Sequence, residues 1–264
     1  MRSLPPLTAD PAAAAPTSPL RIRAAFQPIV DIISGEVFAY EALVRGANGQ
    51  SAGEVLSTIT DANRAEFDQA CRVTAIRDAV AAGILDTRAK LSINFMPTAV
   101  ASPHADIQLT LRTARETGFP TNRLMFEFTE HEESNVDHLR AIVRAYRELG
   151  FTTAIDDFGV GHAGLDLLAN IQTDLIKLDM RLIRGIDSSP TRQAIVEAMI
   201  VLTRRLRIGL VAEGVETDAE LTTLRTLGVR LAQGYLLGRP ALGALSAFPP
   251  LFNRGVGERA RKLA

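Results

Sequence analysis

Short apolar runs alternate with long amphipathic segments over most of this chain, and seven successive runs end on a side chain suited to binding a cation or a phosphate. These residues are Glu41, Asn94, Glu127, Asp156, Lys177, Glu213 and Gln233. Such alternation is typical of βα units. In a (β/α)₈ barrel the carboxyl ends of the strands meet at one rim, where the chemistry lies. The pattern therefore predicts an α/β fold, a (β/α)₈ TIM-like barrel, with one oxygen-rich site.

The start of the barrel departs from this alternation. Residues 24–33 are rich in β-formers, Ser34-Gly35 is a good two-residue turn, and residues 36–44 form a second predicted strand. Two strands joined by so short a turn form an antiparallel hairpin. We therefore expect the first strand of the barrel to be antiparallel to its neighbour.

Three of the long segments carry signals for the start of a helix. One begins at Ser134, and its apolar stripe comprises Leu139, Ile142, Val143, Tyr146 and Leu149. A second has Ser189 as its cap and Pro190 as its first residue, and its stripe comprises Ile195, Met199, Leu202 and Leu206. A capping box of Thr217 and Glu220 opens the third. Each stripe is expected to face the core.

Length and composition limit the folds, partners and cellular locations that are compatible with this chain. The 264 residues suffice for an α/β barrel, which needs about 250. The balance of 29 basic and 30 acidic residues argues against a nucleic-acid polymer or a basic membrane surface as partner. No apolar run approaches a membrane span, Met1-Arg2 is followed by prolines instead of a secretory apolar region, and Cys71 has no disulfide partner. These features predict a cytoplasmic protein.

The domain prediction has three parts. Residues 1–20, rich in Pro and Ala, are predicted to be disordered or linker-like. Residues 21–250 form one barrel, and residues 251–264 form a basic tail with glycine interruptions. The same pattern would be seen in a fragment of a larger protein.

Two adjacent carboxylates, Asp156 and Asp157, end the central apolar run and precede a Gly-Val-Gly loop. Neighbouring carboxylates in a partly dehydrated site repel each other unless a cation lies between them. Hard oxygen ligands suit Mg²⁺, Mn²⁺ or Ca²⁺. Alone, the pair is equally compatible with a solvated turn and helix cap. The polar residues at the other strand ends favour the metal site.

The segment Tyr40-Glu41-Ala42-Leu43-Val44-Arg45-Gly46 resembles the signature of the EAL domain family, the cyclic di-GMP phosphodiesterases of bacterial signalling. The resemblance covers residues 22–245. Further matching segments, in family order, are Phe26-Gln27-Pro28-Ile29, Ser92-Ile93-Asn94, Glu127-Phe128-Thr129-Glu130, Asp156-Asp157-Phe158-Gly159, Ile176-Lys177-Leu178-Asp179, Ala212-Glu213-Gly214-Val215-Glu216 and Gln233-Gly234-Tyr235. An ordered set of this kind is far more specific than any one motif.

The resemblance implies hydrolysis of cyclic di-GMP to linear pGpG, with two Mg²⁺ or Mn²⁺ ions per site and inhibition by Ca²⁺. It assigns one metal to Glu41, Asn94, Glu127 and Asp156. It assigns the second to Asp156, Asp157 and Glu213, with Gln233 in the surrounding metal and water shell. Two such ions lower the pKa of a water held between them and neutralise charge on the phosphoryl oxygens.

The resemblance also implies roles outside the metal shell. Lys177 would contact the attacking water, so that Lys177, Asp156 and Glu213 form the catalytic set. The implied substrate contacts are Gln27 to a guanine edge, Arg45 to a phosphate, and Asp179. Glu130 would hold the loop after Asp157. From spacing alone, a surface ion pair is as good an interpretation of Arg45, and a solvated loop carboxylate is the simpler interpretation of Glu130.

The departures from the family pattern cluster in the loop from Val160 to Gly164. The commonest family loop reads Thr-Gly-Tyr-Ser-Ser-Leu, so four hydroxyl groups are missing here. In the family this loop links the second metal site to dimerisation, which makes rate and regulation the affected properties. His162 replaces the family tyrosine and is assigned a loop-packing or dimer-contact role. No chemistry is assigned to the other histidines, which are His104, His131 and His138.

Three functional hypotheses follow. The first is a metal-dependent phosphodiesterase that acts on cyclic di-GMP as a homodimer, with a separately encoded sensor or regulator as a further partner. The second is a weak or inactive EAL domain that serves as a cyclic di-GMP receptor or protein-interaction module because the altered loop prevents assembly of the second metal site. The third is an unrelated two-metal phosphatase. Retention of Lys177 and Glu213 favours the first.

Overall fold

The computed structural model describes residues 21–130, 135–161 and 164–246. Nine strands occur within these ranges. They are β1 (Ile22–Asp31), β2 (Glu36–Gly46), β3 (Lys90–Asn94), β4 (Leu124–Thr129), β5 (Thr152–Phe158), β6 (Leu175–Leu178), β7 (Gly209–Ala212), β8 (Leu231–Gln233) and β9 (Ala241–Leu242). The α-helices of these ranges are α1 (Ala52–Leu56), α2 (Arg64–Ala81), α3 (Pro103–Asp106), α4 (Gln108–Thr117), α5 (Val136–Glu148), α6 (Gly164–Asn170), α7 (Met180–Ile183), α8 (Pro190–Leu206) and α9 (Asp218–Leu227).

The strands close into a barrel. Strands β2 to β8 pair in sequence order, each parallel to the next. Strand β1 pairs antiparallel with both β2 and β8 and closes the ring, and the short β9 pairs with β1 outside it. The predicted (β/α)₈-like barrel with an antiparallel first strand is confirmed.

The hairpin differs in detail from its prediction. Strand β1 ends at Asp31, so residues 32–35 form a four-residue connection instead of the expected two-residue turn. The Asp31 carboxylate accepts hydrogen bonds from the backbone N–H groups of Ile33 and Ser34, and Gly35 adopts φ +76°. An aspartate that caps the next backbone groups is a common way to start a turn. This side-chain cap shortens the strand.

The helix starts are largely as expected. Ser189 accepts a hydrogen bond from Arg192 N–H with Pro190 as the first residue of α8, and Thr217 and Glu220 form the capping box of α9. Helix α5 has Asn135 as its N-cap, and the predicted cap Ser134 lies outside the described residues. The predicted stripe of α5 does face the core: Leu139, Ile142, Val143 and Tyr146 are buried, and Leu149 packs against them.

The predicted stripe of α8 is wrong at its two ends. Ile195 is 40% exposed and Leu206 is 37% exposed, whereas Met199 and Leu202 pack against the core. The residues of α8 that are buried are Val196, Ile200 and Thr203. Because α8 is apolar around much of its circumference, two stripes with helical spacing exist in the sequence, and packing on the barrel selects between them.

The predicted segments 1–20 and 251–264 lie outside the described residues, as do residues 247–250 of the predicted barrel range, so the domain limits stay predictions. No helix within the described ranges has both the length and the apolar character that a membrane crossing requires.

Candidate functional site

An apolar layer fills the barrel interior and forms the floor of the site. Its buried members are Ile29, Ala39, Met125, Ala154, Leu175, Val211 and Leu231, one from each of seven strands. Side chains two residues apart in a strand point to the same face. Two residues further along six of these parallel strands, the next inward position is therefore occupied by Glu41, Glu127, Asp156, Lys177, Glu213 and Gln233, of which Glu213 directly follows the end of β7.

Two further strands complete this polar ring. On β3, Ser92 and Asn94 face inward, and Asn94 ends the strand. Strand β1 runs in the opposite direction, so its contribution, Gln27, precedes the floor residue Ile29. The polar ring thus follows from strand alternation directly above the floor. Glu41 lies within β2, which continues two residues beyond its predicted end at Val44, because the strand remains paired with β1 as far as Gly46.

The ammonium group of Lys177 lies among four carboxylates. Its Nζ is 2.7 Å from Glu213 Oε1, 2.8 Å from Glu127 Oε2, 2.9 Å from Asp156 Oδ1 and 3.5 Å from Glu41 Oε2. The lysine side chain is 1% exposed. One positive charge therefore faces four negative charges in a region shielded from water.

The carboxylates fall into two groups that share one member. Oxygen atoms of Glu41, Glu127 and Asp156 lie within 4.8 Å of one another, and so do those of Asp156, Asp157 and Glu213. These are the carboxylates of the two ligand sets that the sequence analysis assigns, with Asp156 in both. The structure therefore brings both predicted sets together in one place.

A distortion at the end of β5 brings Asp156 and Asp157 to the same cavity. Consecutive residues of a regular strand point to opposite faces. Here the pairing of β5 with β6 is irregular between Ile155 and Phe158, and Asp157 adopts φ +53°. Aspartate tolerates this left-handed conformation better than most residues. Both acids consequently line the cavity.

Amide and hydroxyl groups orient the carboxylates. Asn94 Nδ2 donates to Glu41 Oε1 at 2.9 Å, and Gln233 Nε2 donates to Glu41 Oε2 at 2.7 Å. Gln233 Nε2 also donates to Gln27 Oε1 at 3.1 Å, and Ser92 Oγ donates to Glu127 Oε1. Both oxygens of Glu41 and one oxygen of Glu127 are thereby fixed in direction.

Burial and neighbouring charges shift the pKa values in the ring. Burial raises the pKa of Glu127 to about 8, with Glu41 and Asp156 acting in the same direction against Lys177. Burial and the Asp156 charge raise the pKa of Glu213 well above its usual range. Burial alone would raise the pKa of Glu41, but Lys177 and the hydrogen bonds from Gln233 and Asn94 hold it below its ordinary value. Burial lowers the pKa of Lys177, yet the surrounding carboxylates outweigh it and raise the value, so this side chain stays an ammonium ion.

The donor set fits hard divalent cations. The groups present are carboxylate and amide oxygens, which Mg²⁺, Mn²⁺ and Ca²⁺ prefer. Gln233 Oε1 is buried and has no hydrogen-bond partner among the described residues, so it is an available oxygen ligand. The raised pKa values of Glu127 and Glu213 show that one ammonium does not balance the carboxylates. The site is therefore suited to additional positive charge.

The carboxylate ring opens into a cavity of about 260 Å³. The described residues that line it are Gln27, Glu41, Asp156, Asp157, Lys177, Met180, Arg184, Glu213, Gly214, Glu216, Gln233, Gly234 and Tyr235. Sequence reasoning assigned no role to Met180, Arg184, Glu216 or Tyr235. Ser92 was also missed, although its spacing of two from Asn94 signals the same inward face.

Two residues predicted to contact the substrate lie at the margins of the site. Arg45 is half-buried, donates to the Val44 carbonyl at 2.7 Å and does not contribute to the described cavity lining. Asp179 is the N-cap of α7 and accepts hydrogen bonds from Arg181 N–H and Nε. Their predicted substrate contacts therefore require a ligand that reaches beyond the described cavity.

Glu130 ties the loop after β5 to β4. Its Oε2 accepts the Gly159 N–H at 2.8 Å, and its own N–H donates to the Asp156 carbonyl at 3.1 Å. A Cβ atom at Gly164 would lie 2.8 Å from Glu130 Oε1, so the helix start approaches this carboxylate closely. His131, His162 and Ala163 lie outside the described residues.

A family comparison agrees with this geometry. The model of the EAL domain matches residues 18–240. The chain belongs to the EAL domain family. Two similar proteins differ in their named functions. The blue light- and temperature-regulated antirepressor BluF of Escherichia coli is 30% identical over 222 residues. The cyclic di-GMP phosphodiesterase NbdA of Pseudomonas aeruginosa is 33% identical over 237 residues. Each match covers 84% of this EAL chain, but 55% of BluF and 29% of NbdA.

Solved structures of EAL proteins have the same fold. A standalone EAL protein from Vibrio cholerae, in a c-di-GMP bound form, is 45% identical with a TM-score of 0.85, and the match covers 90% of this chain and 99% of that one. BlrP1 of Klebsiella pneumoniae, in a manganese and cyclic di-GMP complex, is 34% identical with a TM-score of 0.80, and the match covers 89% of this chain and 59% of that one.

Proposed function

We propose that this EAL domain is a metal-dependent phosphodiesterase that hydrolyses cyclic di-GMP to linear pGpG. The observation that carries the proposal is the pair of carboxylate groups, joined at Asp156, around one cavity. The relative named as a cyclic di-GMP phosphodiesterase and the cyclic di-GMP complexes of similar structures support the choice of substrate.

Two ligand sets would hold two Mg²⁺ or Mn²⁺ ions. Glu41, Asn94, Glu127 and Asp156 form the first set. Asp156, Asp157 and Glu213 form the second, with Gln233 adjacent. When bound, these ions supply Lewis acidity toward a water molecule and the phosphoryl oxygens. The shared position of Asp156 between the two carboxylate groups supports its role as the bridge.

The chain's own residues position the reactants. Lys177 stays protonated because of its carboxylate neighbours, so it donates hydrogen bonds to the attacking water and does not act as a base. Asp156 and Glu213, both within 2.9 Å of Lys177 Nζ, are the acceptors that direct the water. Gln27 orients a guanine edge, Arg45 and Asp179 contact the outer parts of the substrate, and Glu130 holds the loop beside Asp157.

The decisive experiment is incubation of the purified chain with cyclic di-GMP and Mg²⁺ or Mn²⁺, with substrate and product separated by chromatography. We expect pGpG to appear, and Ca²⁺ to suppress it, because Ca²⁺ takes a larger and more flexible ligand shell. A p-nitrophenyl phosphate control tests the phosphatase hypothesis. Preferential hydrolysis of that monoester would contradict the proposal.

A second candidate function is a cyclic di-GMP receptor with little turnover. Two observations favour it: the loop from Val160 to Gly164 lacks four family hydroxyl groups, and one similar protein is named an antirepressor. Calorimetric binding of cyclic di-GMP without product formation in Mn²⁺ would select this function. Binding followed by turnover would select the enzyme.

We further propose that the chain acts in the cytoplasm as a homodimer and responds to a separate sensor or regulator. Leu165, in the first turn of α6 directly after the altered loop, is 64% exposed and supports a contact there. Sedimentation of the wild type and of Leu165→Glu tests the dimer. A monomeric wild type would contradict it.

A further inference from the structure

One wall of the cavity carries a cation that lies outside both proposed ligand sets. Arg184 follows α7 and is the single guanidinium among the described residues that line the cavity. Its side chain is 52% exposed, so it is accessible from the cavity mouth. Arg45, the arginine predicted to contact phosphate, is not part of this lining.

Arg184 is held in place without all its donors being used. Its Nη2 donates to Glu216 Oε1 at 2.6 Å, which is its side-chain partner among the described residues. A guanidinium has five N–H donors in a planar fork. The remaining donors can therefore bind an anion while the contact with Glu216 persists.

A buried carboxylate fixes the two segments that carry this pair. Glu220, which is 5% exposed, accepts hydrogen bonds from the N–H groups of Gly185 at 2.8 Å and Glu216 at 2.9 Å. Gly185 follows Arg184 in the chain, and Glu216 is the ion-pair partner of Arg184. The guanidinium thus projects from a backbone that Glu220 holds in a defined position, which is unlike an isolated surface ion pair.

The charge of the cavity indicates what this guanidinium binds. Five carboxylates and two cations line it among the described residues, so its formal charge is −3. Cyclic di-GMP carries two phosphodiester anions. Lys177 is enclosed by carboxylates, and in the proposed function the metal groups serve the phosphate that is cleaved. The other phosphate needs its own cation, and an arginine fork matches phosphate oxygens well.

We propose that Arg184 contacts the phosphodiester of cyclic di-GMP that is not cleaved, and so makes the site selective for a substrate with two phosphates. This inference rests on the proposed function, since it concerns the same cavity. Arg184 is a specificity-determining residue in this assignment, and it takes no part in bond cleavage.

The test compares two diesters in Mn²⁺: cyclic di-GMP, and bis(p-nitrophenyl) phosphate, which has one phosphodiester. For Arg184→Gln, we expect KM for cyclic di-GMP to rise about ten-fold with kcat nearly unchanged, because a charge-assisted contact to a remote group is lost. Hydrolysis of the single diester should not change. Arg184→Lys should give an intermediate KM, because the charge remains without the fork.

Calorimetry of cyclic di-GMP binding in Ca²⁺ gives a readout that does not depend on turnover. The Kd should rise about ten-fold in Arg184→Gln. Arg144→Gln is the matched control, since Arg144 also pairs with an acid, Glu148, at 3.0 Å but lies outside the cavity lining. It should leave both KM and Kd unchanged.

Unchanged KM and Kd in Arg184→Gln, or an equal loss on both diesters, would overturn the assignment. The assignment would also be overturned if Arg45→Gln weakened the binding of cyclic di-GMP and Arg184→Gln did not. A wild type that binds cyclic di-GMP without cleaving it would refute the proposed activity, while the Kd comparison would still decide the role of Arg184.

Discussion

Within the part of the chain that the structure describes, two buried clusters of charge are balanced differently. In the barrel interior, Lys177 faces four carboxylates. Between α2, β3, β4 and α5, Arg72 faces one carboxylate, Asp68, with Nη2 and Oδ2 2.7 Å apart. Both cations are almost completely buried. Only the first cluster has an excess of negative charge.

The surroundings of Arg72 show what a purely structural ion pair needs. Its guanidinium lies 5.5 Å from the ring centres of Phe95 and Phe126 and donates to Tyr146 Oη at 2.8 Å. Asp68 Oδ1 accepts the Met96 N–H at 2.8 Å. The two charges are therefore paired one to one, although burial still raises the pKa of Asp68 against the effect of Arg72, and Arg72 Nε has no hydrogen-bond partner among the described residues. The Lys177 cluster, by contrast, has the composition of a site that is completed by added cations.

Glu41→Ala should produce the largest effect of this comparison, because it removes a carboxylate from the first ligand set. We expect cyclic di-GMP turnover to fall by about ten-thousand-fold, or ~5.5 kcal/mol of barrier. The fold should stay intact, which circular dichroism checks. Near-normal turnover at saturating metal would show that the site is assigned wrongly.

Arg72→Met breaks the balanced cluster and should act on stability. Leaving Asp68 buried without its partner should lower the free energy of unfolding by about 3–5 kcal/mol, measured by urea titration. The double variant Asp68→Asn/Arg72→Met removes both charges and keeps an acceptor for Met96 N–H, so it should recover most of the loss. If the double variant were no more stable than the single one, the ion-pair explanation would fail.

The polar ring could be predicted from the sequence because its cause is local. Each of Glu41, Glu127 and Asp156 lies two residues after an apolar floor residue, and strand alternation alone places both on the same face. The family motifs then group residues that are far apart in the chain. The barrel and the antiparallel first strand follow from the same local signals.

The features that escaped prediction depend on distant contacts. The distortion at Asp157 arises where β5 pairs with β6, and no neighbouring residue specifies it. The orientation of α8 is set by packing, since stripes through Ile195 and through Val196 both have helical spacing. Arg184 and Glu216 are far apart in the sequence and lie in two loops that Glu220 joins through hydrogen bonds.

Metal binding should stabilise one cluster and leave the other unchanged. At a Mn²⁺ concentration of 100 times Kd, the wild type should gain about 2.7 kcal/mol, seen as a higher Tm than in EDTA. The double variant at Asp68 and Arg72 should show the same gain, whereas Glu41→Ala should lose most of it. An equal shift in Glu41→Ala would mean that Mn²⁺ binds elsewhere.

A third ion pair, between Arg230 and Asp31, is exposed and should contribute less to stability than either buried cluster. Arg230 Nε lies 2.6 Å from Asp31 Oδ2, and the arginine side chain is 74% exposed. Arg230→Gln should therefore cost only about 0.5 kcal/mol at neutral pH in urea titrations, far less than Arg72→Met.

The pH dependence of that small loss has a defined sign. Burial would raise the pKa of Asp31, but Arg230 and the backbone N–H groups of Ser34 and Ile33 outweigh it and lower the value below 3.8. The carboxylate therefore contributes stability above pH 3.8 that is lost as the pH falls through its folded pKa. The difference between wild type and Arg230→Gln should vanish in acid, while the backbone hydrogen bonds give both proteins a residual acid dependence. A difference that grew on acidification would show that Arg230 acts through packing of its stem, and not through charge.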